Sequence, residues 1–286
     1  MGASNAAYQP FGERLGEAMA AHGPLCAGID PHRALVESWG LTYDLAGVER
    51  FAMTCVEAFG GQVAAVKPQS AFFEVFGSRG VALVERVLDD LRDAGTLTIL
   101  DAKRGDIGTT MDAYADAFLG KDAPSPADAL TVSPFLGYGS LRPAIDLAAQ
   151  TGRGVFVLAL TSNPEGPSVQ HATRDGRSVA ATIVDGAAAD NGGASGMGHV
   201  GLVVGATVGS AVTDLGIDLA ASRAPILAPG LGAQGATIED LRGVFGDALP
   251  NVLPNSSRGI LSAGPDVAGL RAAAREESER LGRLLA

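Results

Sequence analysis

At 286 residues, with 47% hydrophobic, 19% charged and 39 glycines, the chain has a globular composition, not a disordered one, and is long enough for one large α/β domain or two small ones. A formal net charge of −11 argues against nucleic acid and anionic membrane as general partners, while leaving room for a local basic pocket that takes a phosphate. The longest apolar runs, such as Val155 to Leu160 and Val200 to Ala206, fall well short of a bilayer span, and Met1 to Pro10 lacks the basic start and apolar run of a secretory signal.

In chain order, Phe11 to Ala21 reads as an amphipathic leading helix, and Leu25 to Ile29 as a first buried strand that ends at Asp30-Pro31. A helix from Asp44 to Phe59 leads to a second strand, Val63 to Val66, which ends at Lys67-Pro68. Arg79 to Ala94 places Val81, Val84, Leu88 and Leu91 on one helical face. The third strand, Leu97 to Leu100, runs into Asp101, Lys103 and Asp106, and a helix follows from Met111 to Leu119. Ala129 to Val132 is the fourth strand, ending at Ser133-Pro134, with Ser140 to Gln150 as its helix. Val155 to Leu160, the fifth, runs into Thr161-Ser162-Asn163-Pro164 and a long insertion, 163–177. After a helix from Ser178 to Asp190 come a sixth strand, Val200 to Val204, and a seventh, Ile226 to Ala228. The seventh opens into Pro229-Gly-Leu-Gly-Ala-Gln234-Gly, where Thr237, with Asp240 three residues on, predicts a helix cap. The eighth, Asn251 to Leu253, runs into Asn255-Ser256-Ser257-Arg258, and a charged helix, Asp266 to Leu285, closes the chain.

Eight short apolar strands alternating with helices, with no linker between them, predict a single (β/α)8 barrel domain over residues 1–286. An open doubly wound sheet is the alternative, but no Gly-x-Gly-x-x-Gly turn follows the first strand. Polar residues fall at the C-terminal ends of the strands: Asp30, Lys67, Asp101, Lys103, Ser162, Gln234 and Arg258. In a barrel those ends converge on one mouth. Exposed backbone N–H groups after the seventh strand, with Ser257-Arg258 after the eighth, lie where barrels commonly hold a phosphate.

The densest chemistry is in Leu100 to Thr110. Residues two apart on an extended segment share a face, so Asp101 and Lys103 point the same way, with Asp106 past a glycine. Two carboxylates and an ammonium at a strand-to-loop boundary make either a solvated, salt-bridged loop or a proton-transfer site, and the spacing alone leaves both open. Cys26 and Cys55 form no disulfide framework and no metal spacing, which predicts reduced core thiols in a cytoplasmic protein. Four scattered histidines give a metal site little to start from.

The run Asp101-Ala-Lys103-Arg-Gly-Asp106-Ile107-Gly-Thr-Thr110 resembles the signature of orotidine 5'-phosphate decarboxylases. The resemblance extends to Asp30, to Val66-Lys67-Pro68, to Leu160-Thr161-Ser162, to Pro229 through Gln234, and to Arg258, and is strongest with the longer, bacterial type 2 branch. It implies conversion of orotidine 5'-phosphate to uridine 5'-phosphate and CO2, the last step of de novo UMP synthesis, with no metal and no organic cofactor. It also implies that Lys103 protonates C6 of the pyrimidine, Asp101 lies near the departing carboxylate, and Lys67 and Asp106 complete an alternating charge array. Asp30 and Lys67 would bind ribose hydroxyls and Ser162 the pyrimidine edge. Gln234 and Arg258 would bind the phosphate, with Pro229 and Ser257 beside them in the substrate pocket. Asp106, Ile107 and Thr110 would serve the neighbouring subunit, giving a homodimer with shared sites. The Asp-x-Lys-x-x-Asp core also occurs in metal-dependent keto-sugar-phosphate decarboxylases and aldolases of the same superfamily, which are one alternative. A non-catalytic phosphosugar-binding protein of the same fold is the other.

Overall fold

The computed structural model describes residues 8–230 and 238–285. Eight parallel strands close into a barrel: β1 (Cys26–Ile29), β2 (Ala65–Pro68), β3 (Leu97–Arg104), β4 (Ala129–Val132), β5 (Gly154–Leu160), β6 (Val200–Val204), β7 (Ile226–Pro229) and β8 (Val252–Ser256), with β8 pairing back onto β1. The expected (β/α)8 barrel is therefore the observed architecture.

β1, β4 and β6 are short and buried on both faces, which is why the sequence shows apolar runs there instead of alternation. The two faces nevertheless belong to different cores. Cys26, Ala65, Ile99, Ala129, Phe156, Val203, Leu227 and Leu253 form an inner cluster. Their neighbours Ala27, Val66, Leu100, Leu130, Val157, Val204, Ala228 and Val252 pack outward beneath the helices. The leading helix, Phe11–His22, closes the N-terminal end of the barrel by sending Phe11 and Leu15 into the inner cluster. The Phe11 and Phe156 rings meet edge to face, with centroids 5.9 Å apart. Gly154 makes room for this plug, because a Cβ there would stand 2.4 Å from the Phe11 ring.

The period of two along a strand then fixes what lines the opposite end. Two residues beyond the inner apolar layer stand Gly28, Lys67, Asp101, Thr131, Leu158, Gly205, Pro229 and Asn255, so polar side chains enter the mouth from β2, β3, β4 and β8. Strand boundaries move accordingly. β2 runs from Ala65 to Pro68, not Val63 to Val66, so Lys67 lies within the strand; β3 continues to Arg104; β7 includes Pro229; and β8 reaches Ser256. Apolarity marks the strand only where its surroundings are apolar, whereas the ladder continues into the polar mouth.

Asp44 caps the Leu45–Phe59 helix, accepting from Gly47 N at 2.8 Å. The expected cap at Thr237 lies outside the described residues, as does the side chain of Asp240. The 163–177 insertion contains a short helix, Pro167–Gln170, and most of a two-stranded hairpin that pairs Thr173 with Ser178. Cys26 and Cys55 are both buried and free. No helix among the described residues is long and apolar enough to cross a membrane.

The plug makes a testable demand. Phe11→Ala removes the largest side chain that the leading helix gives to the inner core, and the closed barrel cannot collapse around the loss. Stability is expected to fall by about 3–5 kcal/mol, measured by urea unfolding; a loss below about 1 kcal/mol would show that the helix does not anchor the barrel floor.

Candidate active site

At the mouth, β1, β2 and β3 bring four charged groups into one line. Lys67 Nζ lies 2.9 Å from Asp101 Oδ2 and 4.0 Å from Asp30 Oδ1. Lys103 Nζ lies 2.5 Å from Asp101 Oδ1. The result is an alternating row, Asp30–Lys67–Asp101–Lys103, whose formal charges cancel. Side-chain exposure grades along it: Lys67 is 5% exposed and Asp101 9%, but Lys103 is 46% exposed. The row is thus anchored in the protein at Lys67 and opens to solvent at the Lys103 amine.

Neighbours complete the shell. Gln69 accepts from Lys67 Nζ at 3.4 Å and donates through Nε2 to the Asp101 carbonyl at 3.2 Å. The Thr131 hydroxyl donates to Asp101 Oδ1 at 2.8 Å, so that carboxylate receives three donors. Asp30 Oδ1 is buried with no hydrogen-bond partner among the described residues.

Burial alone would disfavour charge on both central groups, and the array reverses that. Burial of Lys67 pulls its affinity for the proton down, but Asp30 and Asp101 beside it outweigh burial and raise its pKa above the usual 10.5. Burial of Asp101 pushes its pKa up, but Lys67 and Lys103 hold it down at about 2, below the usual 3.8. Because the folded-state value of Asp101 is depressed, its contribution to stability is present above about pH 4 and lost as pH falls through about 2. That of Lys67, whose value is raised, is present at neutral pH and lost only above the ordinary lysine range.

The backbone under Lys103 is unusual. Its φ is +47°, a left-handed conformation that costs a non-glycine residue about 1–2 kcal/mol. The register of β3 on β4 shifts there: Leu100 pairs with Leu130 and Arg104 with Val132, so three residues of β3 face the single residue Thr131 of β4. Lys103 N donates to the Thr131 hydroxyl at 3.0 Å. The next residue, Arg104, pairs with Glu74 and lies over the rings of Tyr114 and Phe118.

The other expected residues are distributed as follows. Asp106 receives the N–H of Ile107 at 2.8 Å, and among the described residues no ion pair joins it to the array of its own chain. Ile107 is 61% exposed, and Thr110 is exposed in the first turn of the Gly108–Leu119 helix. Ser162 sits just past β5, where a Cβ on Gly205 would approach it to 3.3 Å. Ser257 packs over β1: a Cβ on Gly28 would stand 1.8 Å from its hydroxyl oxygen, so only glycine admits it. Arg258 is exposed at the start of a short helix, Arg258–Leu261, and Pro229 is half-buried at the end of β7. Gln234 lies outside the described residues.

Two members of the shell, Gln69 and Thr131, were not anticipated. Gln69 is two residues past Lys67, and Thr131 is the one polar residue in Ala-Leu-Thr-Val, two past an inward alanine; the period of two was the signal available for both.

The chain is similar to known proteins over most of its length. Residues 23–273 match the model of the orotidine 5'-phosphate decarboxylase / HUMPS family. An orotidine 5'-phosphate decarboxylase of Streptomyces coelicolor is 61% identical over 268 residues, covering 93% of this chain and 95% of that protein. One from Salinispora arenicola is 60% identical over 267 residues, covering 93% and 95%. Among solved structures, a Streptomyces avermitilis protein described by the same activity superposes with a TM-score of 0.94 at 56% identity, covering 100% of this chain and 99% of that one. Leishmania donovani OMP decarboxylase gives 0.75 at 32% identity, covering 97% and 99%.

The grading of burial separates the two lysines experimentally. Lys67→Met leaves Asp101 buried with one cation in place of two and is expected to cost about 3 kcal/mol or more in urea unfolding. Lys103→Ala, at the exposed end, is expected to stay within about 1 kcal/mol of the unmutated protein. Equal losses in the two variants would contradict the graded array.

Proposed function

The chain belongs to the orotidine 5'-phosphate decarboxylase / HUMPS family, and we propose that the Asp30–Lys67–Asp101–Lys103 array is where it performs that chemistry. The reaction is decarboxylation of orotidine 5'-phosphate to uridine 5'-phosphate and CO2, the last step of de novo UMP synthesis. The observation that carries the site assignment is the Lys103 amine: half-exposed at the mouth and held at 2.5 Å from a carboxylate that a buried lysine keeps ionised.

The chemical problem is electrostatic. Breaking the bond from C6 to the carboxylate carbon leaves the electron pair in an sp2 orbital on C6, which the ring π system delocalises poorly. Fixed charge at that point is the remedy, because a preorganised charge needs no reorganisation as the reaction proceeds. A unit charge about 4 Å away contributes roughly 4 kcal/mol at an effective dielectric of about 20. Lys103 supplies that charge and then donates its Nζ proton to C6; CO2 leaves, and solvent restores the ammonium. Asp101 faces the departing carboxylate, so their repulsion falls as neutral CO2 forms. Asp101 also holds Lys103 by its Oδ1, while Lys67 fixes Oδ2.

Substrate contacts follow the family pattern at the matching positions. Asp30, whose buried oxygen lacks a hydrogen-bond partner among the described residues, and Lys67 take ribose hydroxyls. Ser162 takes the pyrimidine edge. Gln234 and Arg258 take the phosphate, with Pro229 and Ser257 lining the pocket next to them. Binding free energy from the phosphate is then available to hold the reacting end against Asp101.

The assembly we propose is a homodimer in which Asp106, Ile107 and Thr110 complete the partner's site. Two features support it: Asp106 stands outside its own chain's array, and the apolar side chain of Ile107 is exposed beside the mouth. The free, buried cysteines support a reducing, cytoplasmic setting. The closure of β8 onto β1 supports reading the chain as one barrel domain.

The activity is measured by following the pyrimidine absorbance of orotidine 5'-phosphate in the presence of a chelator. The unmutated protein is expected to turn over fully, and Lys103→Ala to lose about 10^3-fold or more in kcat. Dependence on added divalent metal would favour the keto-sugar-phosphate branch. Sharing of sites is measured by mixing inactive Lys103→Ala and Asp106→Ala chains. One site of each mixed dimer is then intact, so about a quarter of the unmutated activity should return at random exchange. No recovery despite demonstrated exchange would mean that each subunit uses its own Asp106.

A further inference from the structure

We infer that Thr131 is a positioning residue for the reaction: its hydroxyl holds the β3 bulge in the one conformation that turns the Lys103 amine onto Asp101. This rests on the proposed role of Lys103 and extends it to a side chain on a different strand.

Between the paired positions Leu100–Leu130 and Arg104–Val132, β3 has three residues where β4 has one. Alternate residues of a parallel strand bond to opposite neighbours: Asp101 faces β2, accepting from Ser70 N at 3.2 Å, and on a regular strand Lys103 would face β2 as well, but the bulge turns its N–H toward β4. A buried or half-buried N–H does not go unpaired without cost. Here the acceptor is the Thr131 hydroxyl, at 3.0 Å.

The direction of the second bond is then forced. Lys103 N–H can only donate, so Thr131 Oγ1 accepts there and its single proton is free for the other neighbour. That neighbour is Asp101 Oδ1, at 2.8 Å, the same oxygen that holds Lys103 Nζ at 2.5 Å. One hydroxyl therefore ties the backbone of Lys103 and the carboxylate that receives its amine to a common point. Only a group that both donates and accepts can do this. Thr131 is almost fully buried, at 1% exposed, so water does not compete for either bond. Its branched Cβ restricts χ1 on the strand, which fixes the oxygen as well as supplying it.

Lys103 cannot be replaced by the glycine that φ +47° would favour, because the site needs its amine. The bulge must therefore be held by its neighbours. Arg104, paired with Glu74 and set over Tyr114 and Phe118, anchors the outward side; Thr131 anchors the inward one. Without the hydroxyl, nothing on β4 holds the Lys103 N–H, and the residue is released toward ordinary strand dihedrals that swing Nζ off Asp101.

The test pairs Thr131→Val, which keeps the shape and removes the hydroxyl, with Thr131→Ser, which keeps the hydroxyl. With orotidine 5'-phosphate as substrate, Thr131→Val is expected to lose about 10- to 100-fold in kcat, with KM within about threefold. Thr131→Ser is expected to recover most of that loss. A crystal structure of Thr131→Val should show Lys103 departed from φ near +47° and its amine no longer bonded to Asp101. Unchanged kcat in Thr131→Val, equal impairment in Thr131→Ser, or an unmoved Lys103 would overturn the inference. If the unmutated protein fails to decarboxylate the substrate, the activity is what falls, and the crystal structure alone decides whether Thr131 positions Lys103.

Discussion

The buried ammonium of Lys67 is the constraint to which the rest of the mouth answers. A lysine 4% exposed inside a barrel is tolerable only if carboxylates surround it, and β1 and β3 each supply one from the strand end nearest to it. That requirement explains why Asp101 points inward from β3 and why it stays ionised although buried. It also explains why a second cation is needed: the three buried or half-buried groups Asp30, Lys67 and Asp101 would carry a net negative charge, and Lys103 brings the sum to zero. Removing Lys67 leaves unbalanced carboxylates where water solvates them badly, whereas the Lys103 end of the row opens to solvent.

The same requirement shapes the backbone. On a regular strand, Asp101 and Lys103 would share a face at successive inward positions, and the second would rise away from the first along the strand axis. The bulge between Leu100 and Arg104 folds that advance back, so that the two side chains meet at 2.5 Å. The fold therefore accepts a left-handed lysine and an interrupted ladder at the point where the proposed chemistry occurs, and it restores the lost pairing with side chains: Thr131 inside, and Glu74 through Arg104 outside. Geometry that looks like strain in the strand is what makes a contact between residues two apart possible.

This is also where reading the sequence stopped short. The barrel was legible because eight apolar runs alternate with helices, and the polar ends of those runs named Asp30, Lys67, Asp101 and Lys103 correctly as neighbours. The strands β2, β3, β7 and β8 end later than their apolar runs, because polar residues, or in β7 a proline, continue the ladder into the mouth. Thr131 and Gln69 escaped notice for a related reason: each is an unremarkable residue within or beside a strand, and its importance comes from a bulge or a neighbouring strand that local sequence does not display. Asp106 shows the opposite limit. Its place in the motif is plain from the spacing, yet among the described residues of its own chain its carboxylate meets only the N–H of Ile107.

A neutral array has a consequence for how an anionic substrate is handled. The chain carries a net charge of −11, so its far field repels a phosphate ester, and counter-ions screen that field beyond roughly 8 Å at physiological salt. Close to the mouth, the four charges of the array cancel, so the array as a whole offers little attraction to the substrate's carboxylate. Attraction at that end would in any case be counterproductive, because holding the ground-state carboxylate tightly would deepen the well from which the reaction must climb. In the proposed reading, binding is left to Arg258 and the strand-seven turn at the phosphate end. The dipole from Asp101 to Lys103 then acts only where charge appears, on C6. The array is balanced in sum and polarised in detail, and for this reaction the second property is useful only because of the first.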